Sequence, residues 1–299
     1  MEEFRPRLAA ALDDEPSPAV VFLDGTGLGD GLPLVRPDSA LVAAMLEGRL
    51  PDDAAIDGPV PISFAVPTWW DLAACSVLAG CPPGALPLVA AALNALTDPA
   101  FNLLGVQATT GAAAPLVIVE GDAVSRFGLN ADASSLGPGH RSNATIGRAI
   151  RLCLQGVGRC AAGEGDMATH GQPGKYTWLV AENRPDNPWA EGRGPGRVTV
   201  VAGVGNVEVV LTPTTPDEVV GRLAEVIVGI AAPDNVVLLP PESAVFLHRH
   251  GHHESRFRQE VAALTGGEPR VVVTGGTGVK ATVVPGWGGG SQPTSRMVG

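Results

Sequence analysis

The chain has 299 residues, 45% of them apolar, and a formal charge of −11 from 31 acidic and 20 basic residues. The length suits one large α/β domain or two small ones, and the apolar content is enough for a sizeable core. The acidity, with no Lys/Arg cluster, excludes the footprint of a nucleic-acid binder and disfavours anionic membranes.

Residues 1–18 read as a short helix or mobile end, and the apolar run Ala19–Leu23 as a first strand ending at Asp24-Gly25. Pro37-Asp38-Ser39 opens a helix through Leu46, and the Pro, Asp and Gly of 51–61 make a linker. Leu72–Leu78 has helical spacing and stops at Gly80; Ala85–Leu96 is a second apolar helix, too interrupted to span a membrane. Leu116–Gly121 is a buried strand, 130–141 is rich in turns, and a helix runs from Asn143 to about Gln155. Lys175–Val180 reads as a strand, and 183–196 as an irregular loop.

The β-branched runs Val198–Val201 and Val207–Leu211 read as a hairpin-like pair. Pro216–Ile230 has the clearest amphipathic pattern, with Val219, Leu223, Val226 and Ile230 on one stripe. Val236–Leu239 and Val271–Val273 are strands around a helix at Ser255–Leu264. This alternation predicts an α/β fold, a mainly parallel or mixed sheet with helices on both faces, in two subdomains at most. The expected organisation is an N-terminal strand-helix segment and linker at 1–62, a site-bearing core at 63–211, a C-terminal α/β segment at 212–284, and a flexible Gly/Ser-rich tail at 285–299, free to dock on the protein or a partner. No repeat stands out at any fixed period.

Cys75, Cys81, Cys153 and Cys160 form no C-x-x-C pair and no disulfide framework, and the acidic N-terminus lacks an apolar leader, so a reduced cytoplasm is expected. The strongest local signal is Gly137-Pro138-Gly139-His140-Arg141-Ser142-Asn143 entering a helix. Gly137 and Gly139 allow close backbone approach, Asn143 is a natural N-cap, and His140 and Arg141 add donors to free N–H groups, which together make an anion site. An ordinary capped helix is the plainer reading of the same residues.

The second signal is 166–176, which holds His170, the only tyrosine, Tyr176, and one of only two lysines, Lys175. These residues could supply acid/base and electrostatic groups, or be a solvated Pro-Gly turn. Cys81, between a helix end and a helix start, is a nucleophile candidate if its thiolate is stabilised and inert packing otherwise. The other three cysteines, in or just after apolar helical patterns, rank lower. His248, His250, His252 and His253 read as a solvated surface loop instead of a metal site, and no cofactor motif is convincing: the Gly25–Gly31 turn lacks dinucleotide spacing.

Seven segments are similar to an uncharacterised bacterial family encoded beside, or fused to, redox-like proteins with a UGSC (selenocysteine-Gly-Ser-Cys) motif. They are 79–81, 98–103, 105–110, 137–139, 143–149, 173–176 and 181–183, within residues 64–210. The resemblance implies that Gln107, Thr109, Thr110, His140, Arg141, Asn143, Lys175, Glu182 and Asn183 converge on one site.

Two functions follow as expectations. One is an enzyme acting on a small anionic or carbonyl-containing metabolite, by lyase, hydratase or thiol-dependent transfer chemistry. Its catalytic residues come from Cys81, His140, His170, Lys175 and Glu182; its binding residues are Gln107, Thr109, Thr110, Gly137, Gly139, Arg141, Asn143, Tyr176 and Asn183. The other is a noncatalytic subunit or binding module partnered with a UGSC-type protein. A homo- or hetero-oligomer is expected in either case, with no nucleic acid, membrane, metal or cofactor.

Overall fold

A computed structural model describes residues 3–13, 19–190, 194–212 and 214–299. Parts of the expected N-terminal helix or tail and of the 183–196 loop therefore lie outside the described residues. Helix α1 (Phe4–Asp13) precedes the antiparallel strands β1 (Val20–Val21) and β2 (Leu34–Val35). Helices α2 (Ser39–Leu46), α3 (Trp69–Ala79), α4 (Leu86–Leu96) and α5 (Leu103–Ala108) lead to strand β3 (Ala114–Glu120). The one-turn helix α6 (Ala123–Arg126), the long α7 (Arg141–Gly156) and strands β4 (Leu179–Ala181) and β5 (Arg197–Gly203) follow. The second half runs β6 (Val207–Val210), α8 (Pro216–Ile230), β7 (Val236–Leu239), α9 (Pro241–Arg249), α10 (Glu254–Thr265), β8 (Arg270–Val273) and β9 (Lys280–Val284), then the last strand, β10 (Thr294–Met297).

The caps explain several boundaries. Thr68 and Asp71 close a capping box on α3: Thr68 N donates to Asp71 Oδ2 at 2.9 Å, and Asp71 N to Thr68 Oγ1 at 3.3 Å. Gly80 ends the helix in the left-handed region at φ 80°, where a side chain would be strained. From Leu72 onward α3 is buried all round, which makes it a central core helix. No single helix among the described residues is long and apolar enough to cross a membrane; α4 with the segment to Ala108 reaches that length only across a 67° bend.

The α/β class is as expected, but the strands form two mixed four-stranded sheets. The first has the order β10-β5-β3-β4 and the second β6-β9-β7-β8. Only β3/β4 and β7/β8 pair in parallel. Alternate residues separate the layers. Val117, Val119, Leu179 and Val200 face the helices of the N-terminal half, whereas Ala114, Leu116, Ile118, Val180 and Val201 face the other way. In the second sheet Val237, Leu239, Val271 and Val283 pack under α8, α9 and α10, while Val236, Leu238, Val272 and Val284 meet the first sheet's inner face. Each sheet thus carries helices on one face and the other sheet on its second, a four-layer stack. Burial on both faces is why these strands read as unbroken apolar runs.

The two sheets share one connectivity. In each, a strand runs through two helices to a parallel neighbour, and the next strand returns antiparallel on the opposite side: β3-α6-α7-β4-β5 and β7-α9-α10-β8-β9. Beside β9 lies β6; beside β5 the corresponding place is filled by β10, from the far end of the chain. The sequence shows no repeat because the halves share an order of elements and not a fixed period.

Several expectations are corrected. The runs at 198–201 and 207–211 are not a hairpin: β5 pairs with β3 and β10, and β6 with β9 in the other sheet. Lys175 lies on a 3-10 turn, Pro173–Lys175, ahead of β4 rather than on a strand. The expected flexible tail is ordered: Ser291 Oγ donates to Phe101 O at 2.6 Å, Thr294 Oγ1 to Ala95 O at 2.7 Å, and β10 closes the first sheet. The histidine tract is the end of α9 and the turn into α10, not a wholly solvated loop; His252 is buried with Nδ1 2.8 Å from Glu260 Oε2. Among the described residues no group of three or more His, Cys, Asp or Glu is placed to hold a metal.

Candidate functional site

The expected convergence on one site is not met; the residues fall in three places. At the start of α7, His140 is the exposed N-cap, without a side-chain capping bond. Arg141 Nε donates to Gly80 O at 2.8 Å and its Nη2 to Cys81 O at 3.3 Å, so its guanidinium satisfies carbonyls at the end of α3. Asn143 is not the cap. It is buried one turn in, where Oδ1 accepts from Asn130 N and Nδ2 donates to Asn130 O, both at 2.8 Å, as a strand partner would. Gly137 belongs to the preceding turn, with its N donating to Ser134 O at 2.8 Å, and Gly139 takes φ +109°. Arg141 and Asn143, the two side chains proposed to receive an anion and cap the helix, are spent on holding this junction together.

Cys81 is buried beneath the same junction, donating to Thr145 O at 3.2 Å. Burial pushes its thiol up to about 12, against the smaller opposing effects of the Thr145 bond and Arg141. Buried under the junction and donating to a backbone carbonyl, Cys81 takes the packing role and not that of an exposed nucleophile.

Glu182 and Asn183 lie at the other end of the chain's passage through β4. Glu182 is fully buried, accepting from Asn187 Nδ2 at 2.7 Å. Asn183 N donates to Val273 O at 2.8 Å, joining the two sheets where β4 and β8 end. Both residues tie strands and loops together.

Three further candidates share a cleft of about 340 Å³, walled by the 160–176 loop, the middle of α7 and the Gly29–Asp30 turn. His170, Lys175 and Tyr176 line it, with His170 and Tyr176 exposed at the rim. So do three residues that the sequence reading did not single out: Arg151, Cys160 and Asp166. The cleft lies ten residues along α7 from Arg141, roughly 15 Å at the helical rise.

Its loop is shaped by local constraints. Asp166 Oδ1 accepts from Ala168 N at 3.2 Å, Thr169 N donates to Thr110 O at 2.9 Å, and Gln172 Nε2 reaches Ala112 O at 2.9 Å. Thr110 is thus a support for the loop, and Thr109 Oγ1, which accepts from Gly111 N at 3.1 Å, shapes the adjacent turn. Gly174 is needed for close approach: a Cβ there would fall 2.7 Å from the Trp178 ring.

Lys175 Nζ donates to both oxygens of Asp166, at 2.8 and 2.7 Å, and Arg151 Nη2 stands 3.7 Å from Asp166 Oδ2. All three side chains are only 11–13% exposed. Arg151 Nε donates to Lys175 O at 2.8 Å, locking helix to loop. Burial lowers the Arg151 guanidinium from its ordinary value, and the neighbouring Cys160 and Asp166 oppose that fall. Asp30, also in the wall, is neutralised by Arg148, with Nε 2.6 Å from Oδ2 and Nη2 2.7 Å from Oδ1. Two cations around one carboxylate leave a positive surplus in the cleft of a strongly acidic chain.

Cys160 is 2% exposed in the wall, and burial pushes its thiol up to about 11, with Arg151 the main opposing influence. Gln107 lies beside its sulfur and favours the thiolate. Gln107 is itself 2% exposed, and neither its Nε2 nor its Oε1 completes a hydrogen bond with the described protein. Buried amides left in this state are uncommon.

The spacing of Arg148, Arg151 and Gln155, one polar stripe on a helix otherwise buried from Ile146 onward, is the available signal for this wall. Comparison with protein families, curated proteins and solved structures gives no match.

Proposed function

We propose that the protein is an enzyme acting on a small anionic or carbonyl-containing metabolite, bound in the cleft between α7 and the 160–176 loop. The observation that carries this reading is the arrangement of Lys175 and Arg151 about the single carboxylate of Asp166. Both cations are held by the fold before any ligand arrives, so little ordering cost is left to binding. Their surroundings are largely dry, which strengthens their attraction for an anion relative to open solvent.

In this reading Lys175 and Arg151 receive the anionic group, and Lys175 stabilises negative charge developing on the metabolite. His170 and Tyr176 at the rim move protons to and from solvent. The similarity to the UGSC-associated family supplies a second reading, a subunit of a redox complex. No specific feature of the cleft favours it.

Calorimetric titration of the native protein with a series of small mono- and dicarboxylates tests the proposal. Saturable binding that falls about tenfold or more in Lys175→Met supports it, as expected for a lost charge-assisted bond. Absence of saturable binding across the series, or affinity indifferent to Lys175→Met, overturns it.

A further inference from the structure

One residue in the wall of the cleft and one buried beside it are left without a task by the reading above. The Cys160 thiol sits in the wall at the inner side of the loop, and the Gln107 amide lies against its sulfur with both polar atoms unpartnered. Gln107 comes from α5 and Cys160 from the segment after α7, so the fold, and not a local turn, brings them together. A buried amide that satisfies nothing in the protein is suited to satisfy something brought in. A carboxamide N–H next to a sulfur can donate to the oxygen of a carbonyl whose carbon that sulfur bonds.

We propose, resting on the function proposed above, that Cys160 is the covalent group of the cleft and that its substrates are small oxo acids, carrying a carbonyl close to a carboxylate. Lys175 and Arg151 hold the carboxylate. The Cys160 sulfur adds to the carbonyl carbon: the S–C bond forms, the π pair of the C=O bond moves onto oxygen, and the proton leaving sulfur ends on that oxygen. The product is a hemithioacetal or hemithioketal with the same atoms and electrons as the reactants, so no oxidant or reductant is required, and the step reverses. Gln107 Nε2 donates to the oxygen as charge gathers on it, and the hydroxyl so formed can donate to Oε1.

Burial raises the Cys160 thiol and outweighs Arg151, Lys175 and Gln107. The thiol therefore reacts with a ligand that fills the cleft and places a carbonyl against it, not with electrophiles in bulk solution. This moves the thiol chemistry expected of Cys81 to a cysteine with cations and an amide around it.

The test uses the full chain and two probes, glycolate and glyoxylate, which share a carboxylate and differ in whether the second carbon is an electrophile. With glyoxylate labelled with carbon-13 at the aldehyde carbon, the NMR signal of a hemithioacetal is expected in the native protein and in Cys81→Ala. It should vanish in both Cys160→Ala and Cys160→Ser, two variants being used so that at least one retains its melting temperature. Gln107→Leu should lower adduct occupancy about tenfold and glycolate affinity by clearly less, since only the adduct's oxygen gathers charge. Saturable glycolate binding without any adduct from glyoxylate, or an adduct that survives loss of Cys160, overturns the covalent role and leaves the anion cleft standing. Failure of both probes to bind overturns the two proposals together.

Discussion

Lys175 Nζ bonds both oxygens of Asp166 across only nine residues of chain, closing the 166–175 loop on itself. The pair is largely withdrawn from water and shared with Arg151, so removing one member strands charge on the others.

Lys175→Met is therefore expected to lower stability by about 3 kcal/mol, read from urea denaturation. Lys175→Met combined with Asp166→Leu should recover part of that loss, because no unpaired carboxylate then remains against the helix. A single-variant loss below about 0.5 kcal/mol would show the pair to be screened as surface pairs are.

Arg141→Ala is expected to cost roughly 1 kcal/mol, since it leaves the Gly80 and Cys81 carbonyls without their donor. Ligand affinity in the cleft should not change. An unaltered denaturation midpoint with weakened carboxylate binding would return Arg141 to a binding role.

The thiols give a pH signature. Cys75, Cys81 and Cys160 are all raised above the ordinary 9.0, chiefly by burial. A folded value above the unfolded one means that the folded state holds its protons longer, so the stabilisation is complete below pH 9 and is lost as the pH climbs through 11 and 12. Urea midpoints should be level between pH 7 and 8.5 and fall steeply above 9, with a shallower fall in Cys81→Ala. Midpoints that do not respond above pH 9 would mean that these thiols are solvated.

Gly174→Ala should destabilise the fold and loosen the loop together, because the new methyl meets the Trp178 ring that fills the space between the sheets. The expected readings are a lower melting temperature and faster hydrogen exchange at 169–176. Exchange unchanged in a fully folded variant would show that the ring yields instead.

Much of the fold was legible in the chain. The β3, β7 and β8 segments stand out as short apolar runs, and α8 as a stripe, because burial on two faces and on one face leave different patterns. What the pattern does not carry is the partner of each face: a strand covered by helices on both sides and one covered by a helix and a second sheet need the same residues. Thr294–Met297 reads as tail because an edge strand with Ser295 and Arg296 partly in water has no apolar run to announce it. At the site, the rarity of lysine drew attention to 166–176. Arg141 and Asn143 misled because donors at a helix start serve a neighbouring carbonyl as readily as an anion. Cys160 has no local signal because its company, Arg151 from α7, Lys175 from the loop and Gln107 from α5, is assembled only by the fold.

The placement of β10 has a consequence for the making of the protein. Its ladder partners on β5 precede it by 94 to 100 residues, so at ribosomal speeds of 5–20 residues per second the N-terminal sheet waits roughly 5–20 s for its last strand. Through that interval the second sheet's strands are emerging while β5 shows an open edge, a template for any extended segment nearby. The place beside β9 is filled by a strand made before it, and the place beside β5 by a strand made long after. One half of the molecule can close as it is born; the other is sealed only after every strand of the second sheet has been made.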